Sequence, residues 1–206
     1  MKPMFSRNND IDKNAFLNWR ISKNSEIHNL INLADGFLLS SIELSKHCLT
    51  NNQDKRADIL IFPILTNANH GIELYLKSLT WILNKLLNND SKIEGNHNIK
   101  QIYKTVKSKI KIYNGQLSLK EFEDATKDLW NYIEELFERV ASTEKDDRMD
   151  FSRYPFSNKY ENHFYVDAIG NIEIDLENYI YRFEIIRENL NNLCDFLYHN
   201  ELNRDW

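Results

Sequence analysis

Glycine and proline are scarce, at 5 and 3 residues in a chain of 206. Both fall well below their usual shares of about 7% and 5%, so there are too few turn formers for a many-stranded sheet. A few long helices are expected instead. Cysteine is nearly absent: Cys48 and Cys194 lie far apart without Cys-x-x-Cys spacing, which excludes a zinc cluster and a disulfide framework and predicts buried free thiols. No apolar run reaches the roughly 18 residues of a membrane helix, and Met1 to Asp12 are too polar for a signal peptide. The expectation is a cytoplasmic protein with no membrane contact. Positive charge is not in excess either. A net charge of -5 excludes a broadly basic surface that coats nucleic acid and leaves room only for a confined patch. Gly-rich phosphate loops, a Gly-x-Ser-x-Gly elbow and a cysteine beside an obvious base are all missing, so no cofactor is expected and nucleophilic catalysis has no motif.

What the chain does contain is helical periodicity on a hydrophobic content of 42%, enough for one sizeable core. Residues 1–24 read as an N-terminal arm, with a short helix from Asp10 or Asp12 that docks through Phe16 and Trp19. Residues 25–206 read as a single helical domain. Apolar residues at three- and four-residue steps predict helices from Ser25 to Leu49, from Ala57 to Leu87 with Pro63 inside, and from His97 to Lys111. Pro63 should kink its helix or mark its true start. Ser118 and Glu121 form a capping box that opens a fourth helix running to Ala141, and Asp175 caps a last one running to His199. Between them, His163 to Val166 and Ile172 to Ile174 flank Gly170-Asn171 and predict a small β-hairpin. The fold class is therefore an all-α bundle of about five main helices with a hairpin insertion before the last.

The most informative stretch lies in the second helix. His70, Glu73 and Lys77 stand at i, i+3 and i+7, which sets an imidazole, a carboxylate and an ammonium on one face of an otherwise apolar segment. Buried polar groups need partners or a job. No Glu-x-x-His pair accompanies them, so a di-metal bundle site is not indicated and no metal is expected. A second polar cluster, Asp150-Phe151-Ser152-Arg153-Tyr154-Pro155, lies in an irregular region; the Arg153 guanidinium is a planar fork for a phosphate or carboxylate, and Tyr154 adds a stacking face and a hydroxyl. The alternative is that Arg153 simply pairs with Glu73 or an acidic helix end. His97, beside Asn96 and Asn98, sits near the cap of the third helix and is either part of a site or a surface group.

Taken together and in this order, Pro63, the run His70-Gly71-Ile72-Glu73-Leu74-Tyr75-Leu76-Lys77, His97-Asn98-Ile99 and Arg153-Tyr154-Pro155 resemble the HEPN-like helical proteins of prokaryotes. The resemblance covers scattered motifs over residues 55 to 200. It implies a HEPN-like bundle, a homodimer, RNA or a nucleotide as ligand, and a role in toxin-antitoxin or other defence systems with an antitoxin or another defence protein as partner. It also implies metal-independent ribonuclease activity, with His70 and Arg153 as the leading catalytic candidates and Glu73, Lys77, His97 and Tyr154 beside them. The nuclease members carry an Arg and a following His with four to six residues between them, and here the chain departs. Arg20 and His28 have seven residues between them, and Arg153 and His163 have nine. The alternative is a noncatalytic binding or assembly module in which His70, Glu73 and Arg153 are structural.

Overall fold

The computed structural model describes residues 2–89, 95, 97–141, 151–154, 156, 159–167 and 172–203. Ser25 precedes α1 (Glu26–Thr50), which buries Ile27, Ile31, Ala34, Leu38 and Ile42 along one stripe. After a short connection comes α2 (Ala57–Leu86), 30 residues long and so about 45 Å at 1.5 Å per residue. Its middle is buried almost all round, and α1, α3, α7 and the chain's last helical turns pack around it. Ile72, Leu76, Leu79 and Leu83 of α2 meet Leu38 of α1, Val106 of α3 (Ile99–Tyr113) and Phe183 and Leu190 of α7 (Leu176–Asp195) in one core. Each such side chain contributes roughly 1.5–3 kcal/mol on burial.

Pro63 does not start α2, which begins six residues earlier. Pro63 and Ile59 are both exposed, so the carbonyl left without its helical donor faces water, which can satisfy it at low cost. On the inner side, the Ser41 hydroxyl of α1 donates to the Ile64 carbonyl at 2.9 Å and lies 2.6 Å from the Tyr179 hydroxyl of α7. A second tie joins the same helices: Arg187 donates to both oxygens of Asp35 at 2.6 and 2.9 Å, and the Tyr75 hydroxyl donates to Asp35 at 3.1 Å.

Several boundaries differ from the sequence reading. α3 begins at Ile99 because Asn98 is its cap, its side chain accepting from the Gln101 amide, so His97 lies just outside the helix. The expected fourth helix is two, α4 (Leu119–Ala125) and α5 (Lys127–Ala141). Thr126 breaks it, with its hydroxyl donating back to the Phe122 carbonyl and lying 2.8 Å from the Tyr103 hydroxyl. The capping box of Ser118 and Glu121 forms as expected, and Asp175 caps α7 by accepting from the Glu177 and Asn178 amides. α7 continues into a π-helical turn, Phe196–Leu202.

No strand of the expected hairpin forms among the described residues. Phe164–Asp167 form a single helical turn, α6, and Ile172 to Ile174 are irregular, while Gly170-Asn171 lie outside the described residues. Among the described residues the sole β-type pairing is an isolated bridge between Phe156 and Asn162. Two strands with no third to lean on are marginal, and Tyr165 instead packs against Phe62 of α2 at 5.4 Å between ring centres. The arm differs too: it holds only a 3-10 turn, Ile11–Lys13, capped by Asp10. Phe16 and Trp19 do not dock; they are 46% and 76% exposed. Asn29 and Asn32 of α1 tie the arm down by its backbone, at Ser22 and Arg20. No helix among the described residues is long and apolar enough to cross a membrane, and both cysteines are buried free thiols.

Candidate functional site

The polar stripe on α2 is longer than its sequence motif. Thr66 and Asn69 extend it upstream of His70, Glu73 and Lys77, at steps of three and four residues that keep all five on adjoining faces. Gly71 lies within this stretch, against α1. A Cβ there would stand 2.8 Å from the Leu38 side chain and 3.0 Å from the Ala34 carbonyl, so glycine lets the two helices cross closely. The crossing brings Phe37 edge-on to the His70 ring, at 4.5 Å between ring centres.

Glu73 is the buried centre of charge. Its Oε1 accepts from Lys77 Nζ at 2.7 Å and from His97 Nδ1 at 2.9 Å. The side chains of Glu73 and Lys77 are 6% and 12% exposed, whereas that of His97 is 71% exposed. A carboxylate acceptor requires the proton on Nδ1, which turns the His97 Nε2 away from Glu73. Arg153 does not take Glu73 as its partner.

The Arg153 segment reaches the stripe through a different contact. The Thr66 hydroxyl lies 3.0 Å from both the carbonyl and the hydroxyl oxygen of Ser152, with Phe151 and Ser152 buried. Arg153 and Tyr154 follow at once and are exposed, Tyr154 by 58%. Pro155 lies outside the described residues. Thr66 is one helical turn from His70, and the two sites feel each other: Arg153, Lys77 and His97 all disfavour a protonated His70. Burial is the largest cause of its lowered pKa, and the nearby Glu73 carboxylate opposes the shift. His70 is thus held neutral near pH 7.

Two buried polar atoms on this stripe lack hydrogen-bond partners among the described residues, His70 Nδ1 and Asn69 Nδ2. The other end of the Asn69 amide is fixed by the Tyr132 hydroxyl, which donates to Oδ1 at 2.7 Å. Comparison with family models, curated proteins and solved structures finds no match.

Glu73, Lys77 and His97 are therefore in direct contact, with His70 on the same helix face, while Arg153 and Tyr154 follow Ser152, which Thr66 holds one helical turn from His70. Other histidines do not join them. His28 faces Tyr198 at 6.3 Å, so the Arg20–His28 pair belongs elsewhere. His163 is 1% exposed and stacks on Tyr165 beneath the Arg153 segment. Chemically, two basic side chains, Lys77 and His97, hold one carboxylate with His70 and Arg153 nearby, and no group of three metal-ligating side chains forms among the described residues. Such a set suits an anion, with Arg153 as its exposed fork and two imidazoles as proton carriers. Sequence reasoning missed Phe37, Thr66, Asn69 and Ser152. Thr66 and Asn69 could have been found by extending the polar stripe upstream, whereas nothing local marks Phe37 or Ser152.

Proposed function

We propose that this chain is a HEPN-like, RNA-directed protein of prokaryotic defence, acting in the cytoplasm, whose site works on the RNA backbone without a metal. The buried Glu73–Lys77 pair with His97 on it, His70 one turn away and Arg153 near enough to disfavour protonation of His70 support this reading. Cleavage through the neighbouring 2′-hydroxyl needs a base, an acid and a cation for the charged phosphorane. Neutral His70 accepts the 2′-hydroxyl proton, the Glu73-oriented His97 delivers one to the departing 5′-oxygen, and Arg153 holds the phosphoryl oxygens. Tyr154 lies beside that fork, able to stack or donate. With RNA in chelator, the purified protein should yield 2′,3′-cyclic phosphate and 5′-hydroxyl ends. His70→Ala, His97→Ala and Arg153→Ala should each slow this about 10²–10⁴-fold. Absence of cleavage, or full activity in these variants, rejects the nuclease reading.

A noncatalytic binding or assembly module is the second reading, favoured by the complete engagement of Glu73 Oε1 by Lys77 and His97. On that reading Glu73→Ala lowers stability by about 1–3 kcal/mol, because Lys77 loses its buried partner, and alters no activity. Urea unfolding set beside the cleavage assay separates the two. The partners proposed with either reading are a second copy of the chain and an antitoxin or other defence protein.

A further inference from the structure

The segment that carries Arg153 also displays a pair of aromatic rings that neither the core nor the cleavage chemistry uses. Phe156 and Tyr160 stack at 5.3 Å between ring centres with 28° between their planes. They are 42% and 83% exposed. Tyr160 has φ 61°, a left-handed conformation that is a genuine outlier for a bulky side chain, and strain of this kind collects at ligand-binding sites. The projection is anchored at both ends: Phe151, Ser152 and His163 are buried, and Tyr165 packs on Phe62. A firmly based segment thus holds a strained tyrosine with its ring in solvent.

The composition of this surface favours one kind of occupant. Between Phe151 and His163 the large exposed apolar side chains among the described residues are Tyr154, Phe156 and Tyr160, all aromatic. The arm groove is different: it is lined by Ile11, Leu17, Ile21 and Leu33 as well as rings, a mixture suited to protein. Just beyond this stretch Val166 is also exposed, at 51%; the flat rings, a few residues along the chain from the exposed Arg153, match a base and its phosphate.

We infer that Phe156 and Tyr160 form a stacking platform for an unpaired nucleobase, placed next to the phosphate held by Arg153. The inference rests on the RNA reading above and narrows it: the substrate is single-stranded at the site, since a base inside a duplex offers no free face.

A short 2′-O-methyl RNA strand, which lacks the attacking hydroxyl, tests this by fluorescence anisotropy against its own duplex. The single strand should bind more tightly than the duplex. Phe156→Ala and Tyr160→Ala should each weaken single-strand binding about 5- to 100-fold, with the salt dependence unchanged, while Tyr160→Phe retains affinity. Arg153→Ala should instead flatten the salt dependence. Both rings are on the surface, so unchanged thermal midpoints will show the variants folded. Strand binding that is unaffected by either alanine, or a duplex bound as well as the single strand, overturns the platform and leaves the RNA reading standing. No binding of either RNA overturns both. Loss of self-association in Tyr160→Ala, with RNA affinity intact, overturns the platform in favour of a protein contact.

Discussion

At the scale of single residues, His70 is the most exacting position. Burial first, and then the neighbouring Arg153, Lys77 and His97, lower its pKa below the usual histidine value, so the folded chain resists a proton that the unfolded chain accepts. The unfolded state therefore binds more protons as pH falls below about 6.5, and stability drops through the window between the unfolded and folded values. Above that window the group is neutral in both states and the loss is absent. His70→Gln should remove this part of the pH dependence between pH 7 and 5, measured by urea unfolding at each pH. Arg153→Ala should move the His70 titration upward in an NMR experiment, because one of the groups opposing protonation is gone. An unmoved titration would separate Arg153 from the site. The motif spacing made His70, Glu73 and Lys77 legible as one face, because helical periodicity is a local property. That Glu73 chooses His97 rather than Arg153 was not legible, since it depends on where Asn98 caps α3.

Among elements, the helices with strong stripes and caps were readable, and those decided by tertiary contacts were not. Asp175 and Ser118 act within four residues of themselves, so sequence alone reveals them. The break at Thr126 depends on Tyr103, 23 residues away, and the arm's aromatics Phe16 and Trp19 pack on each other, at 5.7 Å between ring centres, rather than into the core. The Arg153 segment has no periodic pattern, and its position comes from Thr66, 86 residues distant. Thr66→Val should therefore behave as a misplacement of Arg153. Cleavage should fall about tenfold or more, with the loss in kcat, while the thermal midpoint shifts little because a half-buried hydroxyl is exchanged for a methyl. Activity equal to the parent in this variant would show that Ser152 is held by its own burial.

For the whole molecule, the unresolved balance is between a well-filled core and apolar surface left outside it. Trp130 is partly buried against the core, stacked on Tyr103 at 4.8 Å, but Trp19, Leu17 and Tyr181 are 76%, 87% and 65% exposed. A second copy of the chain would cover the arm's share of this surface, and the full-length protein should scatter light as a dimer at micromolar concentration. Trp19→Glu combined with Leu17→Glu should return it to monomer without lowering helicity. A parent that is already monomeric rejects this. The close crossing at Gly71 has a consequence of a different kind. With backbone against side chain at van der Waals distance, α1 and α2 behave as one rigid piece, and Phe37 and His70 keep their mutual geometry whether or not the site is filled. A ligand thus meets one wall already preorganised. The conformational entropy it must remove is confined to exposed side chains such as Arg153, Tyr154 and Tyr160, at roughly 0.5–1.5 kcal/mol each.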